Sequence, residues 1–231
     1  MYFSKSHQKQ EVISLKSVIR NHFSIALCLL AAFLLWTGLV CTVDVRAIGP
    51  QGSSVGFSAL NQLFHNFTGV HMSLYFITDW LSLVPLCFVA GFAILGLVQW
   101  IQRKQLLLVD SSILILGGFY IVTISIYLLF ETVVVNYRPI LINGFLEASY
   151  PSSTTILVIC VMSTATMQLN GRIKNPALKK GLAAIITAFM VFMVLGRLLS
   201  GVHWLTDIVA GGLLSAGLVM MYHAIIDRTR K

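Results

Sequence analysis

Gly196-Arg197-Leu198-Leu199-Ser200-Gly201-Val202-His203-Trp204-Leu205-Thr206-Asp207 sets an arginine, a histidine and an aspartate among some of the most apolar sequence in the chain. A charge near the middle of a bilayer helix costs roughly 2.5–3.5 kcal/mol on insertion scales. Three such groups kept together therefore mark a functional site before anything else is known. His203 and Asp207 stand four apart, so on a helix they share a face and the carboxylate can orient the imidazole. Arg197 precedes them across a short Ser-Gly turn. A nucleophile or base, its orienting acid and a fixed cation suit the handling of phosphate.

The surrounding composition decides the class. Of 231 residues, 57% are hydrophobic and 10% charged. A water-soluble domain of this size cannot hide that much apolar surface, so the reading is an all-α, polytopic membrane protein. Six apolar runs approach the ~20 residues that a spanning helix needs: 24–43, 80–101, 109–131, 153–170, 181–199 and 204–226. The chain reads as a single membrane-embedded domain, 1–231, with a cytoplasmic leader at 1–23. The first run has no small-residue cleavage site, which favours a retained helix over a removed signal peptide.

Basic residues orient the bundle. Lys5, Lys9, Lys16 and Arg20 precede the first run, and Arg103 and Lys104 follow the second. Arg172, Lys174, Lys179 and Lys180 follow the fourth, and Arg228, Arg230 and Lys231 follow the sixth. Under six spans all of these fall on one side. The positive-inside rule makes that side cytoplasmic, with both termini inside. The net charge of +8 thus reads as topogenic charge facing anionic lipid, not as a nucleic-acid surface. Arg46, Arg138 and Arg197 are left on the outer side. Cys28, Cys41, Cys87 and Cys160 lie within apolar runs without paired spacing and read as packing residues.

The longest segment between spans, 44–79, is expected at the outer interface. Its stretch Phe57-Ser-Ala-Leu-Asn-Gln-Leu-Phe-His-Asn-Phe67 has helical apolar periodicity and predicts an amphipathic interfacial helix. The next outer segment, 132–152, carries Asn136-Tyr-Arg-Pro139 and Ser149-Tyr-Pro-Ser-Ser-Thr-Thr155. Pro151 and the following hydroxyl residues suit a helix start, whose free N–H groups and dipole make an anion site. Each of these features alone is unspecific. Their convergence on one membrane face, with Arg197, His203 and Asp207, carries the argument.

With these residues in place, the chain resembles the type 2 phosphatidic acid phosphatase superfamily. Arg138-Pro139 matches the end of its first motif (Lys-x6-Arg-Pro), and Pro151-Ser152 the start of its second (Pro-Ser-Gly-His). Arg197, His203 and Asp207 match its third (Ser-Arg-x5-His-x3-Asp) at full spacing, with Gly201 and Gly211 where the family favours glycine. Glu131 stands where the first motif has lysine, Ser153 where the second has glycine, and Thr154 where it has histidine. The resemblance implies that His203 attacks phosphorus and forms a phosphohistidine, and that Asp207 fixes its tautomer. It also implies that Arg138, Arg197 and the N–H groups of Ser152 and Ser153 hold the phosphate oxygens.

No metal or other cofactor is expected, and no ligand cluster is visible in the sequence. Thr154 is a poor general acid, a function worth about 10²–10⁴-fold. Its loss matters less when the leaving group is itself a phosphate. The expected substrate is therefore a lipid diphosphate, best undecaprenyl diphosphate, at the outer face of the cytoplasmic membrane. Phosphatidate and phosphatidylglycerophosphate are further candidates. His71 is the first alternative acid, followed by His65, Glu147 and Tyr150; each also reads as an ordinary interfacial residue. Two other readings stay open: a degenerate relative that binds or moves phospholipid, and a phosphotransferase passing the group to an acceptor other than water.

Overall fold

The computed structural model describes residues 2–229, with side chains from Ser17 onward. Of the basic residues used for orientation, Lys5, Lys9, Lys16, Arg230 and Lys231 lie outside the described side chains. The described residues form the helices α1 (Tyr2–Thr42), α2 (Ser58–Thr68), α3 (Met72–Leu81), α4 (Leu83–Arg103), α5 (Ser111–Thr132), α6 (Ser153–Arg172), α7 (Pro176–Leu199) and α8 (Leu205–Thr229). Six stretches are long and apolar enough to cross a membrane: Ser17–Thr42 of α1, α3 with α4 as Met72–Arg103, and α5, α6, α7 and α8. This is an all-helical, multi-pass membrane protein.

The second span begins earlier than expected. The sequence reading put 44–79 outside and started the span at 80, taking Asp79 as its boundary. Instead Met72–Leu81 is already helical, because Asp79 is its only charged side chain and that carboxylate is paired with Arg197. The helix breaks at Ser82. Pro85 has no N–H to give the Leu81 carbonyl, and its ring crowds that oxygen, so α3 ends there and α4 restarts.

Burial separates centre from periphery. More than half of the apolar window of α6 is buried (56%) and half of that of α8, against 11% for α3–α4. The outer helices turn Leu34, Leu35, Ile94, Ile121 and Ile185 outward, as a lipid-facing surface requires. One apolar core, with Leu116, Tyr120, Val158, Met162 and Met193, joins α4 to α7 around α6. A second, with Phe33, Tyr150, Ile156, Leu214 and Leu218, seals α1 against α6 and α8. Cys160 is buried and the other three cysteines are exposed and unpaired, consistent with packing roles.

The expected interfacial helix is present as α2, and its faces are inverted relative to a soluble helix. Ser58 and Asn61 are buried, whereas Leu60, Leu63 and Phe67 are exposed. Asn61 Nδ2 donates to the Gly56 carbonyl and to Thr206 Oγ1, and its Oδ1 accepts from Thr206 N–H. This pins α2 across the start of α8. Gly56 is required in the loop before it, because a Cβ there would meet the Val40 carbonyl oxygen at 1.7 Å. Asp44 accepts from Ala59 N–H at the first turn of α2 and pairs with Arg46 at 2.8 Å. That gives Arg46 a local partner.

Candidate active site

Arg138 and Ser149 reach the site on a short hairpin-like arm between α5 and α6. Isolated bridges pair Tyr137 with Ala148 and Ile142 with Phe145. The turn between them is Asn143-Gly144, both at positive φ (51° and 83°), the residue pair that such a turn demands. The arm is fastened to the start of α8: Trp204 Nε1 donates to the Tyr137 carbonyl (2.8 Å) and Asn136 Nδ2 to Asp207 Oδ1 (3.1 Å).

Arg197 ends α7 and His203 lies in the turn that follows. Gly201 makes the turn possible. Its φ is +70°, and a Cβ would sit 2.1 Å from the Gly69 carbonyl oxygen, so only glycine fits. Asp207, in the first turn of α8, accepts from Trp204 N–H at 3.0 Å, half of a capping box. Because α8 begins at Leu205, His203 and Asp207 do not share a helical face as the i, i+4 reading assumed. Their closest approach is 4.0 Å, beyond hydrogen-bond range.

Ser149 fills that gap. Its hydroxyl donates to Asp207 Oδ2 at 2.6 Å and lies 2.9 Å from His203 Nδ1. A hydroxyl has one proton, and the carboxylate holds it at the shorter distance. The imidazole must then donate from Nδ1 to the serine oxygen, which leaves the lone pair on Nε2. Asp207 thus reaches His203 through Ser149, a correction to the expected direct contact. His203 Nε2 is buried and makes no hydrogen bond.

The cations are arranged likewise. Arg138 and Arg197 are buried, and Nη1 of each is buried without a partner. Arg197 donates from Nε (3.0 Å) and Nη2 (2.7 Å) to Thr154 Oγ1 and from Nη2 to Asp79 Oδ1 (2.9 Å), with Tyr75 stacked 4.9 Å from its guanidinium carbon. Gly196 permits this approach, since a Cβ there would meet Thr78 at 2.7 Å. Arg138 Nε lies 3.0 Å from Glu147 Oε2 but is not aligned for a hydrogen bond. Both carboxylates are about half exposed.

Burial, then the charges of Arg138 and Arg197, hold His203 well below the ordinary imidazole value of 6.5, against the Ser149 backbone, which raises it. The imidazole is therefore neutral, with a lone pair that can serve as a nucleophile. A histidine depressed in this way binds fewer protons folded than unfolded, so acid favours the unfolded chain. We expect thermal stability to fall as pH drops through about 6.5, while kcat/KM shows no inflection there from His203. Melting curves and kcat/KM between about pH 5 and 8 check this. A kcat/KM inflection at the ordinary imidazole value would contradict it.

The other expected residues divide. Ser153 opens α6 and lines the site cavities, where its N–H is one of the unused donors of a first helical turn. Ser152 does not serve as expected, because its N–H donates to the Asp207 carbonyl at 3.1 Å. Thr154 accepts two of the three Arg197 hydrogen bonds and so holds the guanidinium. Glu131 lines a cavity of about 540 Å³ together with Arg138, Glu147 and Ser153. His71 is exposed, with Nε2 2.9 Å from the Thr68 carbonyl, and lines neither site cavity. Its N–H instead anchors the 200–203 turn through the Ser200 carbonyl. Tyr150 points to Thr37 on α1 (2.7 Å), and burial pushes its phenol up. His65 packs on Trp204, and burial pushes its imidazole down. Sequence reasoning gave no role to Asn136, Ser149, Asp79 or Tyr75.

A second cavity, of about 370 Å³, runs from Arg138, Thr154 and Arg197 to Leu86, Ile124 and Leu157 on α4, α5 and α6. Arg138 and Ser153 line both cavities, so the cationic centre meets a polar opening on one side and an apolar slot on the other.

Among known proteins, no curated sequence matches the chain. Its fold is similar to the crystal structure of the first transmembrane PAP2 type phosphatidylglycerolphosphate phosphatase from Bacillus subtilis. The TM-score is 0.56 with 19% sequence identity, over 89% of this chain and 97% of that one. The model of the PAP2 superfamily matches residues 131–231, the portion that carries the arm, α6, the Arg197 turn and α8. Over that portion the chain resembles the PAP2 superfamily, and its overall fold is similar to that of the Bacillus subtilis structure.

Proposed function

We propose that the chain is a membrane lipid phosphatase that hydrolyses a lipid diphosphate, with undecaprenyl diphosphate the best-fitting substrate, through a phosphohistidine on His203. The observation that carries this reading is the trio of buried atoms without partners: His203 Nε2, Arg138 Nη1 and Arg197 Nη1. Buried polar groups are rarely left unpaired. A nucleophilic nitrogen close enough to feel both arginines, each with an unspent guanidinium donor, suits a phosphoryl group, with the nitrogen at phosphorus and the donors at its oxygens.

His203 Nε2 forms the N–P bond to the terminal phosphorus as the bridging P–O bond of the diphosphate breaks. The leaving group departs as a lipid monophosphate anion and needs no strong acid, consistent with Thr154 being occupied by Arg197. Charge that develops on the imidazole is offset by Asp207 through Ser149. Water then attacks phosphorus, the N–P bond breaks, the electron pair returns to Nε2 and phosphate leaves. Glu147 or Asp79, each half exposed beside an arginine, can accept the water proton. The apolar slot would take the lipid tail and the polar opening would admit water. The topogenic charges support a site at the outer face of the cytoplasmic membrane with both termini inside, and the exposed Leu63 and Phe67 of α2 would rest at its interface.

The test is phosphate release by purified, detergent-solubilised protein offered undecaprenyl diphosphate and phosphatidate side by side. Release is expected from the diphosphate in preference to the monoester. Arg197→Lys should lower kcat/KM by about 10²–10³-fold, because a point charge cannot replace a planar fork held by Thr154 and Asp79. Binding without release would sink hydrolysis and favour a lipid-binding role, which Glu131 and Thr154 at motif positions would then explain. Loss of substrate with phosphate appearing on an added lipid or sugar acceptor would make the chain a phosphotransferase.

A further inference from the structure

At the end of the bundle opposite the site, α1 and α8 bring together His22, His223 and Asp227. One ligand-capable atom from each lies within 4.8 Å of the other two. The sequence reading saw no ligand cluster, because His22 and Asp227 are 205 positions apart. His22 Nδ1 is 3.1 Å from Asp227 Oδ2, and the two imidazole centroids are 5.6 Å apart, edge to face. His223 and Asp227 are one helical turn apart, on a common face of α8. His223 stands sixteen residues beyond Asp207, about 24 Å along the helix axis, so the cluster is separate from the phosphate site.

We propose that His22, His223 and Asp227 form a binding site for a divalent transition metal of the zinc type. Two nitrogen donors and one carboxylate are a ligand set for such ions, whereas magnesium and calcium take oxygen. Ligands about 2.1 Å from one tetrahedral ion stand about 3.4 Å apart. The His22–Asp227 pair already meets this, and the third ligand needs only a side-chain adjustment. All three are half-buried, so an ion can reach them. Arg20 and Arg228, exposed beside the cluster, oppose a cation held by charge alone and favour one held by imidazole coordination. Bound metal would clamp α1 to α8 where the Trp36–Thr206 hydrogen bond near the other end does not reach.

The experiment is cobalt titration of tag-free, chelator-treated full-length protein in detergent, followed by visible absorption. One cobalt per chain is expected, with d–d bands that zinc bleaches, and zinc should raise Tm. His223→Ala and Asp227→Asn should each weaken binding at least about tenfold. His22→Gln should do the same; it keeps a hydrogen-bonding group toward Asp227 and so answers the question if the α8 variants fold poorly. The absence of d–d bands would overturn the site, as would bands or a zinc-induced Tm shift of equal size in all three variants.

Discussion

Replacing His203 with alanine should abolish phosphate release, lowering kcat by at least about 10⁴-fold, because no other group can take over the N–P bond. The expectation rests on position. His203 Nε2 is the one ring nitrogen in the site whose lone pair is free, its Nδ1 being committed to Ser149. Substrate binding should largely survive, since Arg138 and Arg197 remain, so kcat should fall far more than KM changes. The variant removes a buried imidazole and leaves a void, so His203→Gln, similar in size and still able to donate toward Ser149, is the stricter test. Phosphoenzyme trapping completes it. Wild-type protein should carry an acid-labile, base-stable phosphate from a labelled diphosphate, and both variants none. Near-normal turnover in His203→Gln would sink the nucleophile assignment.

Much of this was legible in the sequence, for identifiable reasons. Apolar runs of spanning length are self-announcing, because a bilayer-embedded helix needs an unbroken apolar stretch. Arg197, His203 and Asp207 stand out because charge is scarce around them. What stayed hidden depends on contacts between distant segments. Ser149 is an ordinary serine until the arm sets it between His203 and Asp207, and nothing at position 79 indicates a partner 118 residues away. One signal was present and unread: Asn143-Gly144 announces a tight turn, and that turn brings Arg138 and Ser149 onto one arm, paired with Glu147 and Asn136. Ser152 shows the opposite failure. A helix start implies free N–H groups, but a neighbouring backbone, here the Asp207 carbonyl, can take one of them.

The interposed serine leads to an unequal pair of effects. Asp207→Asn should lower kcat by on the order of 10³–10⁴-fold, and Ser149→Ala by only about 10²-fold. An asparagine can still accept from Ser149 and Trp204 N–H, but it carries no charge to offset the imidazolium that develops as phosphorus is attacked. Its amide would also face the Asn136 amide unless Asn136 flips, at a stability cost of about 1–3 kcal/mol. Ser149→Ala leaves Asp207 charged and still held by Asn136 and Trp204. The imidazole, 4.0 Å from Asp207 Oδ2, needs to move about 1 Å to donate to it directly, a displacement of the kind that costs about 10²-fold. Ser149→Thr, which keeps the hydroxyl, should recover most of that loss. Turnover, Tm and phosphoenzyme level across the three variants separate chemistry from folding. Equal losses in Asp207→Asn and Ser149→Ala would mean that the serine is as indispensable as the charge. Full activity in Ser149→Ala would mean that the imidazole is oriented without it.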